Sequence, residues 1–340
     1  MATGQVGRGG VVSSGIISRG VWPGLIVLAA ALAAVGQTAR ADLVQQQRIH
    51  ASDPAIKDFF GTGVDIDGDY AIVGAAKDDH GGHTDAGSAY VFHYTGGAWS
   101  QVAKLTASDA ADTDFFGEAL SISDGVAIVG AYWHNDVGSL SGAAYVFVRP
   151  AGGWADMTQT AKLSASDAEM LDIFGASVSI SGDYAIVGSM GDDDGGTSAG
   201  AAYVFAKPAG GWVDMTETAK LTASDPVAED VFGSSVAISG DTAVTGAPHP
   251  SFGTDGNGSA YVFARPSDGW ADMTETAKLT ASDGVINDMF GSSVAISGDT
   301  VIAGAYRTGP DTGSAYVFAR PGGGWGDMTE TAKLTVSDGA

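Results

Sequence analysis

Forty acidic residues and no cysteine define the chemistry open to this 340-residue chain. A thiol nucleophile and a disulfide framework are both excluded. Aspartates crowd two segments, with Asp78, Asp79 and Asp85 in one and Asp192, Asp193 and Asp194 in the other. Clustered carboxylates suit a hard cation such as Ca²⁺, which takes about six to eight oxygens. His80 and His83 lie within the first segment and add transition-metal donors. That loop is glycine-rich and has no counterpart elsewhere in the chain, which favours a solvated loop over a metal site. Tyr132, Trp133, Tyr306 and Arg307 are the ligand-contact candidates, because aromatic and arginine side chains on loops anchor partners. No Gly-x-Ser-x-Gly elbow, phosphate loop or His-Glu-x-x-His motif occurs.

These residues are carried by a repeat. A Phe-Gly pair recurs at Phe60-Gly61, Phe116-Gly117, Phe174-Gly175, Phe232-Gly233 and Phe290-Gly291. Each unit continues with a tyrosine (Tyr90, Tyr145, Tyr203, Tyr261, Tyr316) and, nine residues on, a tryptophan (Trp99, Trp154, Trp212, Trp270, Trp325). An Ala-Lys-Leu-Thr-like stretch then ends in Ser-Asp at Asp109, Asp167, Asp225, Asp283 and Asp338. Alternating apolar and small or polar residues, punctuated by Gly-Asp turns, predict four short antiparallel strands per unit. One such sheet exposes two apolar faces. Stacking copies face to face buries both, which predicts an all-β β-propeller of four-stranded blades.

Five repeats are visible, either a closed five-blade ring or part of a larger ring. Residues 48–53 read as a sixth copy of the fourth strand, so in a five-blade ring either they or the last copy is spare. Antiparallel reversal places the loop between strands two and three and the link into the next unit on one face. The Gly-Asp turns and tryptophan segments lie on the other. Length variation falls mainly in the first set, which makes that face the expected functional one. It also gathers Asp53, Asp58, Asp114, Asp172, Asp230 and Asp288, and is therefore expected to be acidic. Their alternative role is to close turns on their own backbone.

The repeat resembles the FG-GAP family, whose name Phe232-Gly233 and Gly246-Ala247-Pro248 spell out. The resemblance covers about residues 47–338 and implies a propeller like that at the head of integrin α subunits. Many members carry a D-x-D-x-D-G calcium loop between the first two strands. Here only a two-residue turn such as Gly182-Asp183 fits, and Asp65, Asp67 and Asp69 merely echo the motif. The family's calcium site is therefore not carried over, and Ca²⁺ stays a possible ligand of the acidic loops alone.

Residues 1–41 hold three arginines, no acid, and an apolar run over 25–35 before Ala39-Arg40-Ala41. This is the pattern of a secretory signal peptide, leaving 42–340 as the propeller. The remainder has 13 basic residues against 40 acids, a field that repels nucleic acid and anionic lipid. A secreted or cell-surface location follows, without membrane insertion after signal removal. The expected function is non-enzymatic binding or adhesion, recognising an extracellular protein or glycan through the variable acidic loops. A carbohydrate-active enzyme using carboxylates of that face is the alternative.

Overall fold

The computed structural model describes residues 47–249, 256–308 and 312–336. The expected signal segment lies outside these residues. The first unit is a meander of β1 (Phe60–Asp67), β2 (Tyr70–Ala75), β3 (Ser88–Thr95) and β4 (Ala98–Thr106). The second comprises β5 (Leu120–Ser123), β6 (Val126–Ala131), β7 (Ala143–Val148), β8 (Met157–Thr158) and β9 (Ala161–Ser164). The third has β10 (Phe174–Ser181), β11 (Tyr184–Ser189), β12 (Ala201–Ala206), β13 (Met215–Thr216) and β14 (Ala219–Thr222). The fourth has β15 (Ser235–Ser239), β16 (Thr242–Ala247), β17 (Ser259–Ala264), β18 (Met273–Thr274) and β19 (Ala277–Thr280). The fifth has β20 (Phe290–Ser297), β21 (Thr300–Ala305), β22 (Ser314–Ala319), β23 (Met328–Thr329) and β24 (Ala332–Leu334).

The expected four-stranded blades gain a strand. Each Met-Thr pair leaves its own unit and joins the outer strand of the preceding sheet in parallel, as β8 does on β4 and β13 on β9. Among the described residues, only the fifth sheet keeps four strands. Side chains of the same segment reinforce the clasp. Asp214 accepts a hydrogen bond from the Lys162 amide at 2.8 Å, and Glu217 accepts from the Ser166 hydroxyl at 2.6 Å. The first unit lacks the clasp insertion, and there Ala98–Thr106 pairs directly with Ser88–Thr95.

Apolar residues on facing sheets fill the junctions. Between the first two sheets, Ile72, Val91 and Leu105 pack against Phe116, Leu120, Ile122, Tyr145, Phe147 and Trp154. The same set recurs at the next three junctions. Each large apolar side chain so buried stabilises by about 2 to 3 kcal/mol. Glycine is required where backbones meet. A Cβ at Gly188 would lie 1.9 Å from the Gly233 carbonyl oxygen of the next sheet. This explains why the strand-two Gly and the Phe-Gly pair repeat together. The result is an all-β, propeller-like stack of five sheets. Among the described residues the fifth makes no substantial contact with the first.

Candidate functional site

The links and the loops between strands two and three do share one face. In the second unit's link, Thr113 and Phe115 donate backbone hydrogen bonds to Thr84 and Asp85 of the preceding loop, at 2.8 and 3.3 Å. Leu171 and Ile173 do the same to Ser139 and Leu140. Every link also holds two non-glycine residues at positive φ, among them Leu171 at 74° and Ile173 at 57°. Such conformations cost about 1 to 3 kcal/mol each and persist only where surroundings enforce them. In the second to fifth links the loop–link ladder enforces them.

The carboxylates of this face are largely consumed. Asp58, Asp114, Asp172, Asp230 and Asp288 are buried or nearly so, and each accepts a backbone N–H three residues earlier in its own link. Burial pushes the Asp172 carboxyl up to about 6. The Ser-Asp aspartates take another role. Asp53, Asp109, Asp167, Asp225 and Asp283 each accept from the tyrosine hydroxyl of the following sheet and pair with its strand-four lysine. Tyr203, for example, donates to Asp167 at 2.9 Å and to Asp192 at 2.7 Å. Burial, then the Asp192 charge, raises the Tyr203 phenol far above its ordinary range, so it stays a donor.

The expected cation loops resolve around lysines. Asp167, Asp192 and Asp194 converge within 4.8 Å of one another. Lys220 Nζ lies among them at 2.7, 2.9 and 2.6 Å. Burial works to lower that ammonium's pKa, but hydrogen bonds to the three carboxylates outweigh it and raise it. A divalent ion would have to displace Lys220, so the donor set does not fit Ca²⁺. Asp193 turns aside and accepts from the Ser198 amide at 2.6 Å. In the first unit Asp78 pairs with Lys104 at 2.8 Å, Asp79 accepts from the Asp85 amide, and Asp85 pairs with Lys77. The three do not form a common cage. The His83 imidazole pairs with Asp112, while the His83 amide donates to the His80 carbonyl at 2.9 Å. Asp65 and Asp67 act as struts to the next sheet, accepting from the Ser121 hydroxyl and from the Ile122 and Asp124 amides.

Exposed acids such as Asp79, Asp112, Asp193 and Asp194 remain on the rim, and large apolar side chains share its surface with them. Ile56, Phe59, Met170, Leu171, Val227, Val285 and Ile286, all on links, are exposed. Tyr132 and Trp133 join this rim. Trp133 packs against Phe115 at 4.7 Å between ring centres, the rings tilted by 49°, and Tyr132 donates to Glu118 at 2.9 Å. Lys77 Nζ sits 5.3 Å from the Phe59 ring and 4.9 Å from the Phe115 ring. A continuous cluster thus runs Phe59–Lys77–Phe115–Trp133. Tyr306 and Arg307 occupy the corresponding loop of the fifth unit, where the guanidinium lies over the Tyr306 ring at 5.6 Å. No ring contact among the described residues joins them to Tyr132 and Trp133. Sequence reasoning missed Phe59, Phe115 and Lys77. It read the residue before each Phe-Gly as part of the link, although aromatic doublets at Phe59-Phe60 and Phe115-Phe116 were a visible signal.

A stack of clasped four- and five-stranded sheets with loops gathered on one rim defines a propeller-type repeat protein. A family model for the FG-GAP repeat matches residues 43–92, 99–147, 157–205, 215–263 and 273–318, and the chain belongs to that family. Comparison with curated proteins finds no match.

Proposed function

We propose that the protein is a non-enzymatic binding or adhesion protein, secreted or held at the cell surface, that engages an extracellular protein or glycan through its loop–link rim. The observation that carries this is the exposed pair Phe59 and Trp133, joined through the partly buried Lys77 and the buried Phe115, on links whose backbone is held at positive φ. Aromatic rings present large contact area at low entropic cost, and a preformed loop loses little freedom on binding. Arrays of glycans and of extracellular protein domains test the proposal, using the full chain beside a Phe59→Ala/Trp133→Ala variant. Specific binding that the variant loses supports it. Blank arrays, or binding the variant retains, would count against it, and release of a cleaved product would favour carboxylate catalysis instead.

A further inference from the structure

We infer that the two ends of the stack are complementary docking surfaces, and that the fifth sheet of one copy receives the first sheet of a second copy, head to tail. The argument comes from the internal junctions. In each, the forward face of one sheet is covered by the Phe-Gly side of the next. On the second sheet the forward residues Ile128, Ala144, Val146, Ala161 and Leu163 are fully buried. Their counterparts on the fifth sheet are uncovered, with Ile302, Ala315 and Val317 half-buried and Ala332 and Leu334 exposed.

The first sheet shows the matching deficit. Phe60, Val64, Ile66 and Ala71 are half-buried, whereas the equivalent Phe174, Val178, Ile180 and Ala185 are buried.

Backbone groups match as well. Phe116, Phe174, Phe232 and Phe290 each donate an amide hydrogen bond to the loop of the preceding sheet, at 2.9 to 3.1 Å. The glycines Gly74, Gly130, Gly188 and Gly246 each abut the Phe-Gly carbonyl of the following sheet, with 1.8 to 2.1 Å from an ideal Cβ. At Gly304 an added Cβ would meet only Ser293 of its own sheet. The fifth sheet thus keeps a seat for a Phe-Gly edge, and the first sheet carries one at Phe60-Gly61.

Residues 47–53 complete the match. Ser52 and Asp53 bond Gln101, Tyr90 and Lys104 as Ser108 and Asp109 bond Gln159, Tyr145 and Lys162. They already hold, on the first sheet, the place of a preceding sheet's outer strand. In the junction they lie beside β22, and the three-residue β24 is the strand that yields. A head-to-tail contact of this kind repeats until it closes or grows.

Sedimentation velocity on the full chain tests this across micromolar concentrations, with Val317→Glu spoiling the last face and Ala71→Glu the first. Circular dichroism and melting confirm that each variant folds, and Ala315→Glu, half-buried on β22, is a second probe of the last face. The wild type is expected to gain mass with concentration, and each variant alone to stay monomeric. An equimolar mixture of the Val317 and Ala71 variants, which retains one intact face of each kind, is expected to stop at a dimer. A wild type that stays monomeric at every concentration, as when the chain's own ends meet or another segment covers the face, overturns the inference. So does a mixture that stays monomeric. Both results leave the rim-binding assays unaffected.

Discussion

Replacing Lys220 by methionine removes an ammonium from three carboxylates while keeping most of the stem that lies along the Tyr203 ring. The side chains of Lys220 and Asp192 are only 15% and 5% exposed. Stripping one partner from such a buried pair costs about 3 to 5 kcal/mol, because the other charge is left uncompensated. Asp167 and Asp194 are more exposed, so their pairs add only about 0 to 1 kcal/mol each. The Tyr203 hydroxyl still donates to Asp192, which holds the expected total near 3 to 4 kcal/mol. For a domain of this size that is a fall in melting temperature of roughly 5 to 7 °C. Calorimetry and urea unfolding measure it, and adding Asp192→Asn should recover most of the loss. The more exposed Lys333→Met is the control and should cost about 0 to 1 kcal/mol. A loss below about 1 kcal/mol for Lys220→Met, or no rescue by Asp192→Asn, would refute the claim that lysines neutralise these cages.

Gly188→Ala drives a Cβ into the Gly233 carbonyl and should cost about 3 kcal/mol or more, whereas Gly304→Ala should be mild in the monomer; parallel melts compare them. Calcium at millimolar concentration should leave the wild-type melting temperature unchanged, because the three-carboxylate cage already holds Lys220. Stability should pass through a broad plateau in pH. Asp53, Asp109, Asp167, Asp225 and Asp283 have folded pKa values below 3.8, so their contribution is full above that value and is lost as pH falls through the folded values. Lys104, Lys162, Lys220 and Lys333 have folded values above 10.5, so theirs is full below 10.5 and is lost as pH rises through the folded values. Asp172 runs against this trend: its raised folded value makes it slightly destabilising as pH climbs from 3.8 past about 6, and Asp172→Asn should flatten that slope in melts taken across it.

The architecture was legible because its signals are periodic and apolar. Phe-Gly, the tyrosine strand and the buried tryptophan recur once per unit, and each occupies the same junction in space. The clasp was not legible. A two-residue Met-Thr strand has no alternation to read, and its partner lies in another unit. The lysines were overlooked for a related reason: a strand lysine usually points to solvent, and only the neighbouring sheet supplies the aspartates around it. That pairing also removed the chemistry the aspartate runs implied, since composition records a carboxylate but not its partner. Tyr132 and Trp133 were found because an aromatic in a polar loop stands out, while Phe59 and Phe115 were hidden beside the structural phenylalanines.

The rim is tested most directly by ¹⁹F NMR on the full chain labelled with 5-fluorotryptophan, with Trp133 assigned through Trp133→Phe. Trp133 is partly exposed, whereas Trp154, Trp212, Trp270 and Trp325 are buried in the junctions. Adding the tightest-binding glycan or protein domain from the arrays should shift the Trp133 resonance and leave those four in place. A silent Trp133 alongside shifts among the junction tryptophans would contradict the account.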